Sequence, residues 1–170
     1  MDIIIIANTI ALFAALLSIV IGFIKSREKI ILIQTIQFTS FTISNYILKG
    51  FSGAIANAIG IIRNILSYKE KLTKVAIILI ITISIVLTLY FNNLGIIGFL
   101  PLINTIIYTL FINQKDPLKF KLLLLITFIL WFIYDINIKS YTSAFFDLTS
   151  AITAILSAFQ IHKNSNNKVA

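Results

Sequence analysis

The sequence predicts an all-α integral membrane protein. It has seven transmembrane helices in two parallel three-helix repeats joined by a linker helix (3+1+3), with the N-terminus outside and the C-terminus inside. Three observations predict this. Of the 170 residues, 59% are hydrophobic and only 12% charged, with a mean hydropathy of +1.01. That leaves too little polar surface for a water-soluble domain of this length. The few charges gather in short clusters that separate long apolar runs, and long continuous runs are the mark of membrane-spanning helices. The second half of the chain also repeats the first at a fixed offset.

Reading outward from the charge clusters places the spans at 3–24, 30–48, 51–68, 75–91, 95–112, 119–138 and 141–161. Each is long enough to cross a hydrocarbon core of about 30 Å at about 1.5 Å per residue. The runs are continuous, whereas a barrel strand would alternate over about ten residues. The first span follows Met1-Asp2 with no basic segment before it, and Lys25, Arg27 and Lys29 follow it. This is the pattern of a retained first helix rather than a cleaved leader. The second span ends at Lys49 and the third at Lys69. The fourth lies between Lys74 and Asn92-Asn93. The fifth contains Pro101, which is expected to kink it. The sixth runs from Lys119 to Lys139, and the seventh ends at His162-Lys163, where the histidine is expected at the membrane interface.

The basic residues order these spans across the bilayer. With the N-terminus outside, the inner loops carry Lys25, Arg27, Lys29, Lys69, Lys71, Lys74, Lys115, Lys119 and Lys121, and the inner tail adds Lys163 and Lys168. The outer turns carry only Lys49 and Lys139. The formal net charge of +8 is therefore read as a positive-inside bias rather than a nucleic-acid surface.

The repeat is read from Asn45 to Asn57 laid without a gap on Asp135 to Asp147. Lys49 falls on Lys139, Phe51 on Tyr141 and Ala54 on Ala144; upstream, Phe41 falls on Trp131 and Gln37 on Thr127. The units are 1–71 for the first three-helix repeat, 72–93 for the linker helix, and 94–170 for the second repeat with a short cytoplasmic tail. Repeats of the same orientation are related by an axis along the membrane normal.

Gln37 through Arg63-Asn64, together with Leu100-Pro101 through Trp131 to His162, resemble the YgjV-type bacterial inner-membrane proteins. The resemblance covers most of the chain and implies no particular activity. The 3+1+3 plan is also similar to the SWEET sugar transporters and the PnuC-type vitamin-precursor transporters. In SWEET-like proteins an Asn on the third helix of each repeat and an aromatic on the second line a central pocket. By that resemblance Asn57 and Asp147 match the first role and Trp131 the second. The chain departs from the SWEET pattern in having only two prolines, Pro101 and Pro117, and an Asp in place of the second Asn.

The polar residues inside spans carry the functional reading. Asp147 lies six residues into the seventh span, or about 9 Å down. A carboxylate near mid-membrane costs about 2.5–3.5 kcal/mol on insertion scales and so needs a partner or a water-filled cavity. Asn57 shares a helix face with Gly53, Gly60 and Asn64, and Ser143, Asp147, Ser150 and Ala154 make the matching face. Such small-residue faces are helix contacts. Gln34, Gln37, Phe41, Ser44 and Asn45 fall near one face of the second span, and Thr127, Trp131, Tyr134 and Asp135 lie on the sixth. Asn45 and Asp135 precede Lys49 and Lys139 by one turn and are expected at the outer interface. Trp131 is deeper than an aromatic-belt residue; packing and substrate contact both account for it. Asn104 lies mid-span after Pro101. Arg63 is expected to snorkel to the cytoplasmic interface, an ion pair with Asp147 being the alternative.

There is no cysteine and one histidine, which leaves no credible zinc, iron or copper site. No phosphate loop or nucleophile motif is present, and the loops are too short to carry a soluble active site. The expectation is thus a non-enzymatic protein without cofactor, embedded in lipid. It would take a small polar solute at Asn57, Asp147, Trp131, Asn104 and Gln37, bind no nucleic acid, and leave homo-oligomerisation open. The competing expectation is a structural or accessory membrane protein whose polar residues only hold helices together.

Overall fold

The computed structural model describes residues 2–23 and 27–166, excluding the side chains of 18–20, 22, 23, 27, 117, 160 and 162–166. Lys25, Lys168 and the side chains of Arg27, His162 and Lys163, used above for the charge bias and the interface, lie outside what is described.

The described residues form seven α-helices: α1 (Ile3–Phe23), α2 (Arg27–Ile47), α3 (Phe51–Tyr68), α4 (Lys74–Phe91), α5 (Leu100–Phe111), α6 (Pro117–Asn137) and α7 (Tyr141–Asn166). One element differs from expectation. Residues Gly95–Phe99 wind as a 3₁₀ helix, and α5 begins only at Leu100. Pro101 therefore sits in the first turn of α5 and not inside a helix. Its missing N–H is one that a first turn leaves unpaired anyway, so it starts the helix instead of kinking it.

Lys74–Phe91, Leu118–Asn137 and Tyr141–Phe159 are long and apolar enough to cross a membrane; Ile3–Leu17 and Gly95–Phe111 are shorter apolar stretches. α2 and α3 are less apolar for a specific reason. They carry Gln34, Gln37, Ser44, Asn45, Ser52, Asn57, Arg63, Asn64 and Ser67, all of them buried. Ile78, Val86 and Leu89 of α4 and Phe145 and Leu156 of α7 are instead exposed. An apolar outside around a polar inside suits lipid as the surrounding solvent.

α1 packs against α2 and α7; α2 packs against α3; α3 packs against α5; α5 packs against α6, and α6 against α7. These contacts close a ring of six helices. α4 lies outside it, touching α3 and α5. The α1–α2 seam shows how the ring is sealed. α1 buries Ala7, Ala11 and Ala14, one helical turn apart, so α2 approaches closely. Ser44 then donates to the Ala7 carbonyl at 2.9 Å, and Gln37 to the Ala14 carbonyl at 3.2 Å.

The α2–α3 and α6–α7 turns are built alike. Lys49 and Lys139 both adopt positive φ, at 59° and 63°. The Gly50 N–H donates to the Asn45 carbonyl at 2.8 Å, and the Ser140 N–H to the Asp135 carbonyl at 2.9 Å. A left-handed residue closing a helix in this way satisfies carbonyls that would otherwise be orphaned. Each turn is also held from a distant segment. Asn8 of α1 donates to the Lys139 carbonyl at 3.1 Å, and Asn93 donates to the Lys49 carbonyl at 2.9 Å.

Tyr134 of α6 pins α3. It is fully buried, and its hydroxyl accepts from the Gly53 N–H at 2.9 Å and from Ser52 at 3.4 Å. The Gly53 N–H is in the first turn of α3 and has no helical partner. A Cβ on Gly53 would fall 2.5 Å from the Tyr134 ring and 2.7 Å from the Asn45 amide. Tyr134→Phe is expected to lower stability by about 1–3 kcal/mol through the stranded N–H. Gly53→Ala should cost about 1–3 kcal/mol by overpacking. Unfolding in detergent followed by circular dichroism checks both; wild-type midpoints would remove the pin.

Candidate functional site

The ring of helices surrounds a cavity of about 80 Å³, room for about two or three waters at the ~30 Å³ each takes up in the liquid. All five residues singled out from the sequence line it: Asn57, Asp147, Trp131, Asn104 and Gln37. So do residues expected elsewhere. Asn45 and Asp135, expected at the outer interface, are 1% and 4% exposed and face the cavity. Nearness to Lys49 and Lys139 therefore does not bring exposure.

The lining is paired. Gln34 and Leu124, Gln37 and Thr127, Phe38 and Phe128, Phe41 and Trp131, Asn45 and Asp135, and Asn57 and Asp147 all line the cavity. The members of each pair are ninety positions apart, as Asn45 is from Asp135. Positions ninety apart in the chain thus share the lining. The residues without such a mate in the lining are Arg63, Asn104 and Tyr108.

At one end sit Asn45, Asn57, Asp135 and Asp147. The carboxyl groups of Asp135 and Asp147 lie in hydrogen-bond contact with each other. Asp147 is half-buried as a residue, but its Oδ2 is inaccessible. Four buried acceptor oxygens in this lining have no partner: Asn45 Oδ1, Asn104 Oδ1, Asp135 Oδ1 and Asp147 Oδ2. A buried polar atom without a hydrogen bond costs about 1–3 kcal/mol, and all four of these belong to residues that line the one cavity. Trp131 packs edge-on to Tyr134 at 5.7 Å, which orients its indole along the wall.

Arg63 holds the other end, and here the snorkelling expectation fails. It is 2% exposed. Its guanidinium lies 4.4 Å from the Tyr108 ring centre and 5.7 Å from that of Phe38. Nε and Nη2 donate to Asn64 Oδ1 at 3.3 and 3.1 Å. Tyr108 in turn donates to Gln34 Oε1 at 3.2 Å. Gly60 makes the arrangement possible, since a Cβ there would fall 2.8 Å from the Phe38 ring. No carboxylate lies within ion-pair distance of Arg63 among the described residues, so the alternative pairing with Asp147 is also absent. Sequence reasoning missed this stack. The signal was present in Gly60 and Arg63 on α3 and in Tyr108 four residues after Asn104, but nothing local says that α5 packs on α3.

One comparison with known families matches this chain. The family described as bacterial inner membrane protein, Imp-YgjV, matches residues 5–165. The chain belongs to this family. No curated protein and no solved structure matches it. Membership in the YgjV family places the chain in the bacterial inner membrane; the cavity adds a polar site within it. Among the described residues no group of three or more His, Cys, Asp or Glu could hold a metal ion.

The stack of Arg63 on Tyr108 depends on a planar cation. Arg63→Lys is expected to lower stability by about 1–2 kcal/mol although the charge remains. In a double-mutant cycle with Tyr108→Leu the two should couple by on the order of 1 kcal/mol. Strictly additive losses would mean that the ring contact contributes nothing.

Proposed function

We propose that this YgjV-family protein is a small-solute transporter or facilitator whose substrate site is the cavity lined by Asn57, Asp147, Trp131, Asn104 and Gln37. The observation that carries the reading is the set of unpartnered acceptors on residues that line one cavity inside apolar-faced helices. A protein using polar residues only to join helices would pair them with each other. Ser44 and Gln37 do so against α1, whereas Asn45, Asn104, Asp135 and Asp147 each keep an acceptor free. No enzymatic step and no bound cofactor enters this reading.

In this reading α1–α3 and α5–α7 are two parallel repeats and α4 is the linker that reverses the chain between them. The matched turns at Lys49 and Lys139 and the paired lining support it. So does the exchange of contacts, α1 with α7 and α3 with α5. The cavity then lies between the units, where rocking of one against the other would open it to alternate sides. The N-terminus is outside and the C-terminus cytoplasmic, because exposed Lys69, Lys71, Lys74, Lys115 and Lys119 gather at one end while the other has Lys49 and Lys139.

Two measurements test this. A thermal-shift screen in detergent against sugars, amino acids, vitamins and cations should find a solute that raises the melting point with concentration, by about 2.7 kcal/mol of stabilisation at a hundredfold excess over Kd. Asn57→Ala and Trp131→Ala should abolish the shift. A hit unaffected by both would move the site elsewhere, and folded variants with no hit in any class would favour the accessory role. For orientation, the chain lacks cysteine, so Lys49→Cys and Lys71→Cys give single labelling sites. Lys49→Cys should react with an impermeant maleimide on intact spheroplasts and Lys71→Cys only after lysis; the reverse pattern would invert the topology.

A further inference from the structure

The charged residues lining the cavity are Arg63, Asp135 and Asp147. A guanidinium carries its proton under all ordinary conditions, so Arg63 contributes one positive charge. Two carboxyl groups in hydrogen-bond contact have no donor between them unless one holds a proton. The Asp135–Asp147 contact therefore contains at least one proton, and with one proton it carries one negative charge. With one proton there, the charges lining the cavity cancel, Arg63 at one end and the acid pair at the other. Cancellation matters because an uncompensated charge among lipid-facing helices is costly.

The groups around the acid pair leave this balance intact. Tyr134 on α6 is engaged with Gly53 and Ser52. Tyr108 of α5 is at the Arg63 end, within 4.4 Å of the guanidinium. Lys139 and Tyr141 are exposed, and α1, which packs on α7, has no titratable residue between Ile3 and Phe23. Outside the acid pair itself, Asn45 is 1% exposed and lines the same cavity with Oδ1 unpartnered. That oxygen, Asn104 Oδ1 and the two free carboxyl oxygens are all acceptors, the ligand set of a positive charge.

We propose that the acid–amide end of the cavity binds one small monovalent cation in exchange for the proton shared by Asp135 and Asp147. In the exchange the O–H bond of the protonated carboxyl breaks and the proton leaves to water. The cation takes its place between two carboxylates, with the amide oxygen of Asn45 completing the shell. One positive charge leaves for each that enters, so Arg63 stays balanced throughout. A divalent ion would leave an excess charge, which limits the class to monovalent cations, inorganic or quaternary ammonium. The proposal rests on the transporter reading only for flow across the membrane; the exchange itself is a binding equilibrium.

Proton release from the purified protein in weakly buffered detergent solution tests it. NaCl, KCl and tetramethylammonium chloride are added in turn, and a pH dye reads the solution. At least one salt should release about one proton per protein at saturation, as cation binding to a protonated site requires. Asp147→Asn and Asp135→Asn should release none. Asp147→Glu should restore release, and because it keeps the carboxyl it decides the matter if the amide variants do not fold. In proteoliposomes with an acidic lumen the same cation should alkalinise the interior. No release with any of the three salts from folded wild type overturns the proposal, as does release that persists in both amide variants. Release without luminal alkalinisation keeps the exchange site and removes the transporter reading. A neutral solute found by thermal shift, with no proton release, keeps the transporter reading and removes the exchange.

Discussion

The structure depends on the cost of leaving polar side chains in hydrocarbon. α2 and α3 carry glutamines, asparagines, serines and an arginine at spacings that no lipid-facing helix tolerates. α6 and α7 each carry an aspartate. Lipid cannot satisfy these groups, so the helices that bear them must turn those faces toward each other. The six-helix ring follows, and with it the cavity. α4, whose exposed face is isoleucine, valine and leucine, has no such demand and stays outside.

The polar groups divide into two kinds by what they do once inside. Ser44 and Gln37 reach carbonyls of α1 across a stripe of alanines, and Asn8 and Asn93 reach the carbonyls of Lys139 and Lys49. These are fastenings, and two of them tie the start of one half of the chain to a turn of the other. Asn45, Asn104, Asp135 and Asp147 fasten less than their chemistry allows and face the void. Arg63 sits between. It is held by Asn64 and two aromatic rings, and no carboxylate among the described residues lies within ion-pair distance of it. The Lys49 and Lys139 turns are thus each held by a distant asparagine, while the middle of the ring keeps open bonding capacity.

Much of this was legible in the sequence, for reasons that differ by residue. Helix positions followed from charge clusters, and the observed bounds fall close to those expected because Lys49, Lys69 and Lys139 end helices wherever they are placed. Asn57, Asp147, Trp131, Asn104 and Gln37 were found because an isolated polar or aromatic group deep in an apolar run has few uses. Asn45 and Asp135 were expected at an interface because distance from a lysine was used as a guide to exposure, whereas both are buried and line the cavity. Arg63 was misplaced because its long stem reaches the interface in isolation. Only the packing of α5 on α3 brings Tyr108 under its guanidinium. Pro101 looked internal because a 3₁₀ segment carries the same apolar composition as the helix it precedes.

By itself the sequence determined the solvent, the number of helices, and the pairing of residues ninety positions apart. These follow from local composition and from an alignment of the chain on itself, neither of which needs distances in space. Tertiary structure decided which polar groups share one cavity, that two carboxyl groups meet, and that Arg63 is buried against Tyr108. Those facts depend on which helices are neighbours. Neighbours in a membrane are chosen by the sum of small-residue fits and satisfied hydrogen bonds over the whole ring, a sum no single segment contains.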